Sequence, residues 1–275
     1  MPNELLGQVA IVTGAGRGIG RAIATVFAEA GAAVACTART LDEITETAEI
    51  ITSAGGKAFA VRCDVQDKAQ IAFAVRQIEQ SLGPIDVLVN NAGVAGPSGW
   101  FIDMDIDDWL ACLDINLGGV ARFTHHVLPA MVARGRGRII NISSRAAALP
   151  AVPAPGGSSY FVSKLALSRF TELLAPELQP HGVFVFAADP GGVVTRLAEE
   201  MAIGEGAAPE MIRGFIKSGA LLAPEVPARF CLRLAAGEAD ALTGLHLGVG
   251  ADLPALVAEV EEVRRTERFT LRLRG

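Results

Sequence analysis

A short apolar run, Val9–Thr13, leads straight into Gly14-Ala15-Gly16-Arg17-Gly18-Ile19-Gly20, where an amphipathic helical pattern begins and continues to about Ala30. This junction limits the fold more than any other stretch. A strand that turns through glycines into a helix belongs to a crossover unit, and the chain repeats that alternation. Gly31 ends the first helix in the manner of a C-terminal cap. Further strands are predicted at Ala33–Thr37, Ala58–Arg62, Ile85–Asn90, Arg138–Ile142, Val183–Ala187 and Gly244–Leu247. Helices are predicted at Leu41–Ser53, Lys68–Leu82, about Asp107–Arg134 and Ser159–Gln179. Right-handed crossovers between such strands require a parallel sheet. The expectation is one doubly wound α/β domain over residues 1–250, with about seven strands and helices on both faces.

Composition excludes several classes. Of 275 residues, 51% are hydrophobic and 20% charged, a soluble globular balance. A net charge of −6 gives no basic surplus to steer nucleic acid or an anionic membrane, so neither partner is expected. Met1 to Val12 has no basic leader or long apolar run, and the charge-free stretch Ala146–Ser163 is broken by prolines and glycines. No secretory signal or membrane span is expected, and the expected location is cytoplasmic. The cysteines Cys36, Cys63, Cys112 and Cys231 are scattered, and His125 and His126 are adjacent, so they point apart on a helix. No metal site is expected.

The glycine spacing is G-x-x-x-G-x-G, carried by Gly14, Gly18 and Gly20, with Ile19 where a G-x-G-x-x-G motif would place its last glycine. Such a turn lets backbone approach a pyrophosphate, and the helix N-terminus stabilises its charge. Further on, Tyr160 and Lys164 stand four apart on a predicted helix, so they are neighbours on one face. A free phenol is too weakly acidic for proton exchange near neutrality, and a nearby ammonium should lower its pKa. Tyr160 is the only tyrosine in the chain.

These motifs resemble those of the short-chain dehydrogenase/reductase family, in order, over residues of about 8 to 195. Its TGxxxGxG turn matches Thr13–Gly20, and its NNAG stretch matches Asn90-Asn91-Ala92-Gly93. The resemblance implies a Rossmann-type domain that binds a nicotinamide dinucleotide through Gly14, Arg17, Gly18, Ile19 and Gly20. It implies further contacts from Asp64 and Val65 at the adenine, from Asn91, Ala92 and Gly93, and from Pro190, Gly191, Val193 and Thr195 at the nicotinamide carboxamide. Catalytic roles fall on Asn116, Ser144, Tyr160 and Lys164. Tyr160 would exchange the proton, Lys164 would also bind the nicotinamide ribose, and Asn116 would hold a water leading from Lys164 to solvent. Ser144 would bind the substrate oxygen, with Ser143 as the competing choice.

At the end of the second strand, where an acid would accept the ribose 2′-hydroxyl, stand Ala38 and Arg39. Arg39, with Arg17, suits a 2′-phosphate, so NADP(H) is favoured over NAD(H). Loops 94–104, 145–159 and 191–222 should border the substrate; their Trp100, Phe101, Leu149, Val152, Leu197, Met201, Met211 and Phe215 suit an apolar ketone, aldehyde or alcohol. The alternatives are a 3-oxoacyl-thioester reductase and a non-catalytic NADP-binding regulator. The chain departs from the family in a longer, proline-rich segment before Tyr160 and in an extension, residues 251–275. That tail reads as an amphipathic helix through Leu253, Leu256, Val257, Val260 and Val263, followed by an alternating strand at Phe269, Leu271 and Leu273. The resemblance implies a homotetramer or dimer built on the two long helices, and the tail is expected to dock on a neighbouring subunit.

Overall fold

A computed structural model describes residues 3–148, 157–203 and 207–272. The first unit is β1 (Val9–Thr13), α1 (Gly18–Glu29), β2 (Ala33–Ala38), α2 (Leu41–Ser53) and β3 (Lys57–Arg62). Next come α3 (Lys68–Leu82), β4 (Val87–Asn90), α4 (Ile106–Leu113), α5 (Gly119–Arg134), β5 (Gly137–Ile142), α6 (Ser158–Leu178) and β6 (Val183–Asp189). The remainder is α7 (Arg196–Met201), α8 (Ala207–Ser218), α9 (Glu225–Ala235), β7 (His246–Gly248), α10 (Leu253–Ala258) and α11 (Val260–Arg265).

All strand pairs are parallel, in the order β3-β2-β1-β4-β5-β6-β7. Alternation along each strand divides the core between the two faces. Ala10 and Val12 of β1 join a cluster with Ile23 and Phe27 of α1 and Phe230 of α9. Val9 and Ile11 face the other way, against Ile71 and Ile78 of α3 and Phe123 and Met131 of α5. The sheet is therefore covered on both sides, as the predicted doubly wound domain requires. Local chemistry sets the ends: Asp67 accepts from the Ala69 and Gln70 amides to cap α3, and Gly135 ends α5 at φ 64°.

Three predicted elements differ. The long helix is not uniform, because a wider turn at Asp114–Gly118 links α4 to α5. The last strand is His246–Gly248, not Gly244–Leu247, because Gly244 adopts φ 89° in the turn before it. The tail forms two short helices, and no strand follows at residues 269–272. Phe269 takes a left-handed φ of 63°, which breaks the extended alternation; Leu273 lies outside the described residues.

The tail's apolar stripe is used within its own chain. Leu253, Leu256 and Val263 are buried in the same cluster as α1 and α9. The Phe269 carbonyl accepts the His246 amide, 2.9 Å, on the outer side of β7, and Arg272 bonds Glu172 of α6. Leu253 is fully buried, so Leu253→Ala should lower the unfolding free energy by about 2–5 kcal/mol, the range for leucine truncation in a core. Urea unfolding of the full chain measures it.

Candidate active site

The cleft lies over the carboxyl ends of β1, β2 and β4. Gly14 and Gly18 have φ of 65° and 54°, a left-handed backbone that only glycine adopts without strain. A side chain at Gly20 would collide with the Gly14 carbonyl and come within 2.5 Å of Asn91 Nδ2. Arg17 precedes α1 in extended conformation, and the first turn of that helix has neither a side-chain cap nor an acidic residue. Its amides and the positive end of its dipole are left for an outside anion. The cradle thus fits the pyrophosphate of a dinucleotide.

Gly14, Arg17, Gly18, Ile19, Gly20, Arg39, Asp64, Val65, Asn91, Ala92, Gly93 and Thr195 all line this cleft. Pro190, Gly191 and Val193 do not. Gly191 donates its amide to Asp189 Oδ1, 3.0 Å, in the turn after β6, and Val193 is buried in a bridge with Leu222. Thr195 caps α7 by accepting the Ala198 amide. Cleft residues absent from the sequence reading include Thr40, Glu43 and Ile115, while Leu197, expected at the substrate, also lines the cleft. Glu43 sits in the first turn of α2, 3.9 Å from Arg17 Nη1, so an acid does occupy the end of the cleft that holds Arg39. Its sequence signal was its place one helical turn beyond β2, where a first-turn side chain faces the strand ends.

Tyr160 and Lys164 are both buried on α6, 7% and 5% exposed, with the amine 5.7 Å from the ring centroid. Lys164 Nζ donates to the Ile142 carbonyl at the end of β5, 2.8 Å. Gly93 packs close to Asn116: a Cβ there would stand 3.1 Å from Asn116 Oδ1, and in ordinary contact with Lys164 Nζ at 3.7 Å. The two adjacent serines diverge. Ser143 Oγ turns inward to Ser168 Oγ, 2.8 Å, while Ser144, at the start of a short turn, accepts the Ala146 amide and acts on the Tyr160 hydroxyl. Asn116 is fully buried in the wide turn after α4. Its amide group holds the Val94 backbone at both ends, 2.8 and 2.9 Å, and donates to Ser163 Oγ, 3.0 Å. Asn116 thus fixes the loop that follows Gly93. Leu149 and Val152, with most of the proline-rich segment, lie outside the described residues.

The expected acidification of the phenol by its helical neighbour is not what the burial produces. Desolvation pushes Tyr160 up to about 12, reinforced by the charge of Asp189 and opposed by the Ser144 hydroxyl. Burial likewise pushes Lys164 down to about 8. With both groups out of water, the cost of carrying charge exceeds what one partner over the ring returns.

Comparison with known proteins agrees with this geometry. The sequence profile described as short chain dehydrogenase matches residues 8–205. A short chain dehydrogenase of Pseudocercospora fijiensis is 37% identical over 269 residues, 94% of this chain and 85% of that protein. A metagenomic short-chain oxidoreductase in complex with NADP superposes with a TM-score of 0.70 at 34% identity, over 85% of this chain and 93% of that one. A 7α-hydroxysteroid dehydrogenase complexed with NADH and 7-oxo glycochenodeoxycholic acid gives 0.80 at 31%, over 89% and 93%. The chain belongs to the short-chain dehydrogenase/reductase family. It is an oxidoreductase that acts on CH–OH groups of small molecules with a nicotinamide dinucleotide. Among the described residues no helix is long and apolar enough to cross a membrane.

Lys164 gives this burial a measurable signature. Its folded pKa, about 8, lies below the ordinary 10.5, so between those values the unfolded chain binds more protons. Stability from this group is therefore full above about 10.5, lost as pH falls through 8, and constant below. The unfolding free energy of the wild type minus that of Lys164→Met should rise with pH across that window. Urea unfolding at a series of pH values reads the difference, in which the buried thiols cancel.

Proposed function

We propose that this enzyme interconverts an apolar ketone or aldehyde and its alcohol with NADP(H), with Tyr160 as the proton-transfer group. The observation that carries the reading is a buried phenol, kept neutral, beside a buried amine that neighbours Gly93 of the dinucleotide cleft. The bound nicotinamide supplies or accepts the hydride. Tyr160 Oη delivers the proton to the carbonyl oxygen in reduction and removes it from the alcohol in oxidation, so ketone, hydride and proton sum to the alcohol. A neutral phenol is the form that reduction needs. Ser144 Oγ donates to the substrate oxygen and orients it. Lys164, whose amine is held by the Ile142 carbonyl, binds the nicotinamide ribose in this reading and returns a proton to Tyr160.

Arg17 and Arg39, both at the cleft and largely exposed, support NADP(H), since guanidinium suits a 2′-phosphate. The relative crystallised with NADP supports it too. Glu43 in the same cleft supports a second reading in which NAD(H) also serves, because a carboxylate accepts the ribose hydroxyl. Exposed Trp100, Phe101 and Ile102 in the loop after β4 support an apolar substrate. Homo-oligomer formation is supported by half-exposed apolar residues on the two long helical segments: Ile106 and Leu110 on α4, and Val162, Leu165 and Leu173 on α6.

Two substitutions test the proposal on a panel of carbonyl substrates. Tyr160→Phe should lower kcat by about 100-fold or more, the range for a lost general acid, while NADPH fluorescence still reports binding. Turnover at the wild-type rate would end the assignment. Arg39→Ala should weaken NADPH binding about tenfold and leave NADH binding unchanged, the loss of a charge-assisted bond to the phosphate. Equal effects on both dinucleotides would remove the NADP preference.

A further inference from the structure

Two segments bordering the Tyr160 chamber are joined by a charge pair that the proton transfer itself does not use. Asp189 is the last residue of β6 and only 6% exposed. Its Oδ1 accepts the Gly191 amide, 3.0 Å, and its Oδ2 lies 3.8 Å from Arg145 Nε. Its backbone carbonyl accepts the Val249 amide, 3.0 Å, so the same residue also binds the end of β7. Arg145 directly follows Ser144 and is mostly exposed. A carboxylate buried to this extent costs stability unless it is paired and hydrogen-bonded, and an uncharged residue would fill the position without that cost.

We propose that Asp189, paired with Arg145, is a positioning residue of the active site, clamping the serine-bearing loop to the Pro190–Gly191 turn and fixing a negative charge on the wall of the Tyr160 chamber. This rests on Tyr160 being the proton-transfer group. The clamp sets Ser144 and the turn at the nicotinamide end at a constant separation. The charge holds the proton on the phenol more tightly than burial alone. Among the described residues, the other groups acting on the phenol are few. Cys112 from α4 acts in the same direction as Asp189, and Ser144 acts against them. Lys164 on its own helix lies over the ring. His246 on β7 feels Asp189 as well, but burial pushes its pKa down, towards the neutral form.

Because Tyr160 is the only tyrosine, near-ultraviolet phenolate absorbance titrates this one group in the full-length protein, without substrate or cofactor. Circular dichroism at each pH restricts the reading to folded protein. Asp189→Asn keeps an acceptor for the Gly191 amide and removes the charge, and should lower the titration midpoint by about one pH unit. Arg145→Ala leaves Asp189 without its cation, so its midpoint should not fall. A merely structural clamp would loosen the chamber in both variants and lower both midpoints, and that result overturns the proposal. So does an unchanged midpoint in folded Asp189→Asn. If Asp189→Asn does not fold, Arg145→Glu adds a negative charge to the same wall and should raise the midpoint; a value at or below that of the wild type overturns the proposal. Failure of the proton-transfer reading is a separate event, seen as turnover that survives Tyr160→Phe, whatever the titration gives.

Discussion

Thr13 and Asn91 knit together the ends of β1 and β4, the neighbouring strands from which the chain departs in opposite directions. The Thr13 hydroxyl accepts the amides of Asn91 and Ala92, 2.9 and 3.0 Å, and Asn91 Nδ2 returns bonds to the carbonyls of Thr13 and Gly14. At such a reversal the strand ends diverge from their helices and expose backbone polar groups, and these four bonds satisfy part of that set. Everything functional hangs from the junction. It seats the glycine turn against the NNAG segment, and that segment carries Gly93, whose missing side chain lets Asn116 Oδ1 approach closely. One residue later, Val94 is gripped by Asn116 from the wide turn after α4. Cleft and chamber are thereby built on one backbone scaffold, whose geometry depends on hydrogen bonds and not on long side chains.

Within the chamber, burial outweighs charge attraction. The Tyr160–Lys164 pair looks, on a helical wheel, like a mutual ion pair in waiting. In the fold, the amine is satisfied by a sheet carbonyl and the phenol by its surroundings, and each is driven towards its neutral form. The lysine is consequently located by β5 as much as by the helix it grows from. A protonated phenol as the resting state suits an acid, and an amine that changes charge near pH 8 can replace a proton without a large penalty.

Much of this was legible in the sequence because it was encoded in local pattern. Gly14, Gly18 and Gly20 announce a turn with a helix to follow, and alternating apolar runs announce six of the seven strands nearly to the residue. Tyr160 and Lys164 stand out by spacing alone. What was hidden depends on three-dimensional neighbours. The place of Glu43 after β2 puts it near the strand ends, but only the fold shows that it meets Arg17 across the cleft. The separation of Ser143 from Ser144 is decided by Ser168, twenty-five positions from the first of them. The sign of the phenol's shift follows from how deeply α6 is buried, a property of packing and not of a Y-x-x-x-K pattern. Phe269 misled for a simpler reason: alternation over five residues implies a strand only if the backbone stays extended, and here the first of them is left-handed.

The tail has a consequence for how copies of this molecule can meet. A parallel sheet ends in a strand with one row of unsatisfied amides and carbonyls, an invitation to a second sheet. Here the outward amide of His246 is already engaged by the Phe269 carbonyl, and Arg272 ties the same segment back to Glu172. At that position the terminal segment acts as a selvedge, finishing the border of the weave so that it does not unravel into a neighbour. Strand addition at that point of the β7 edge is thereby closed off by the chain's own tail.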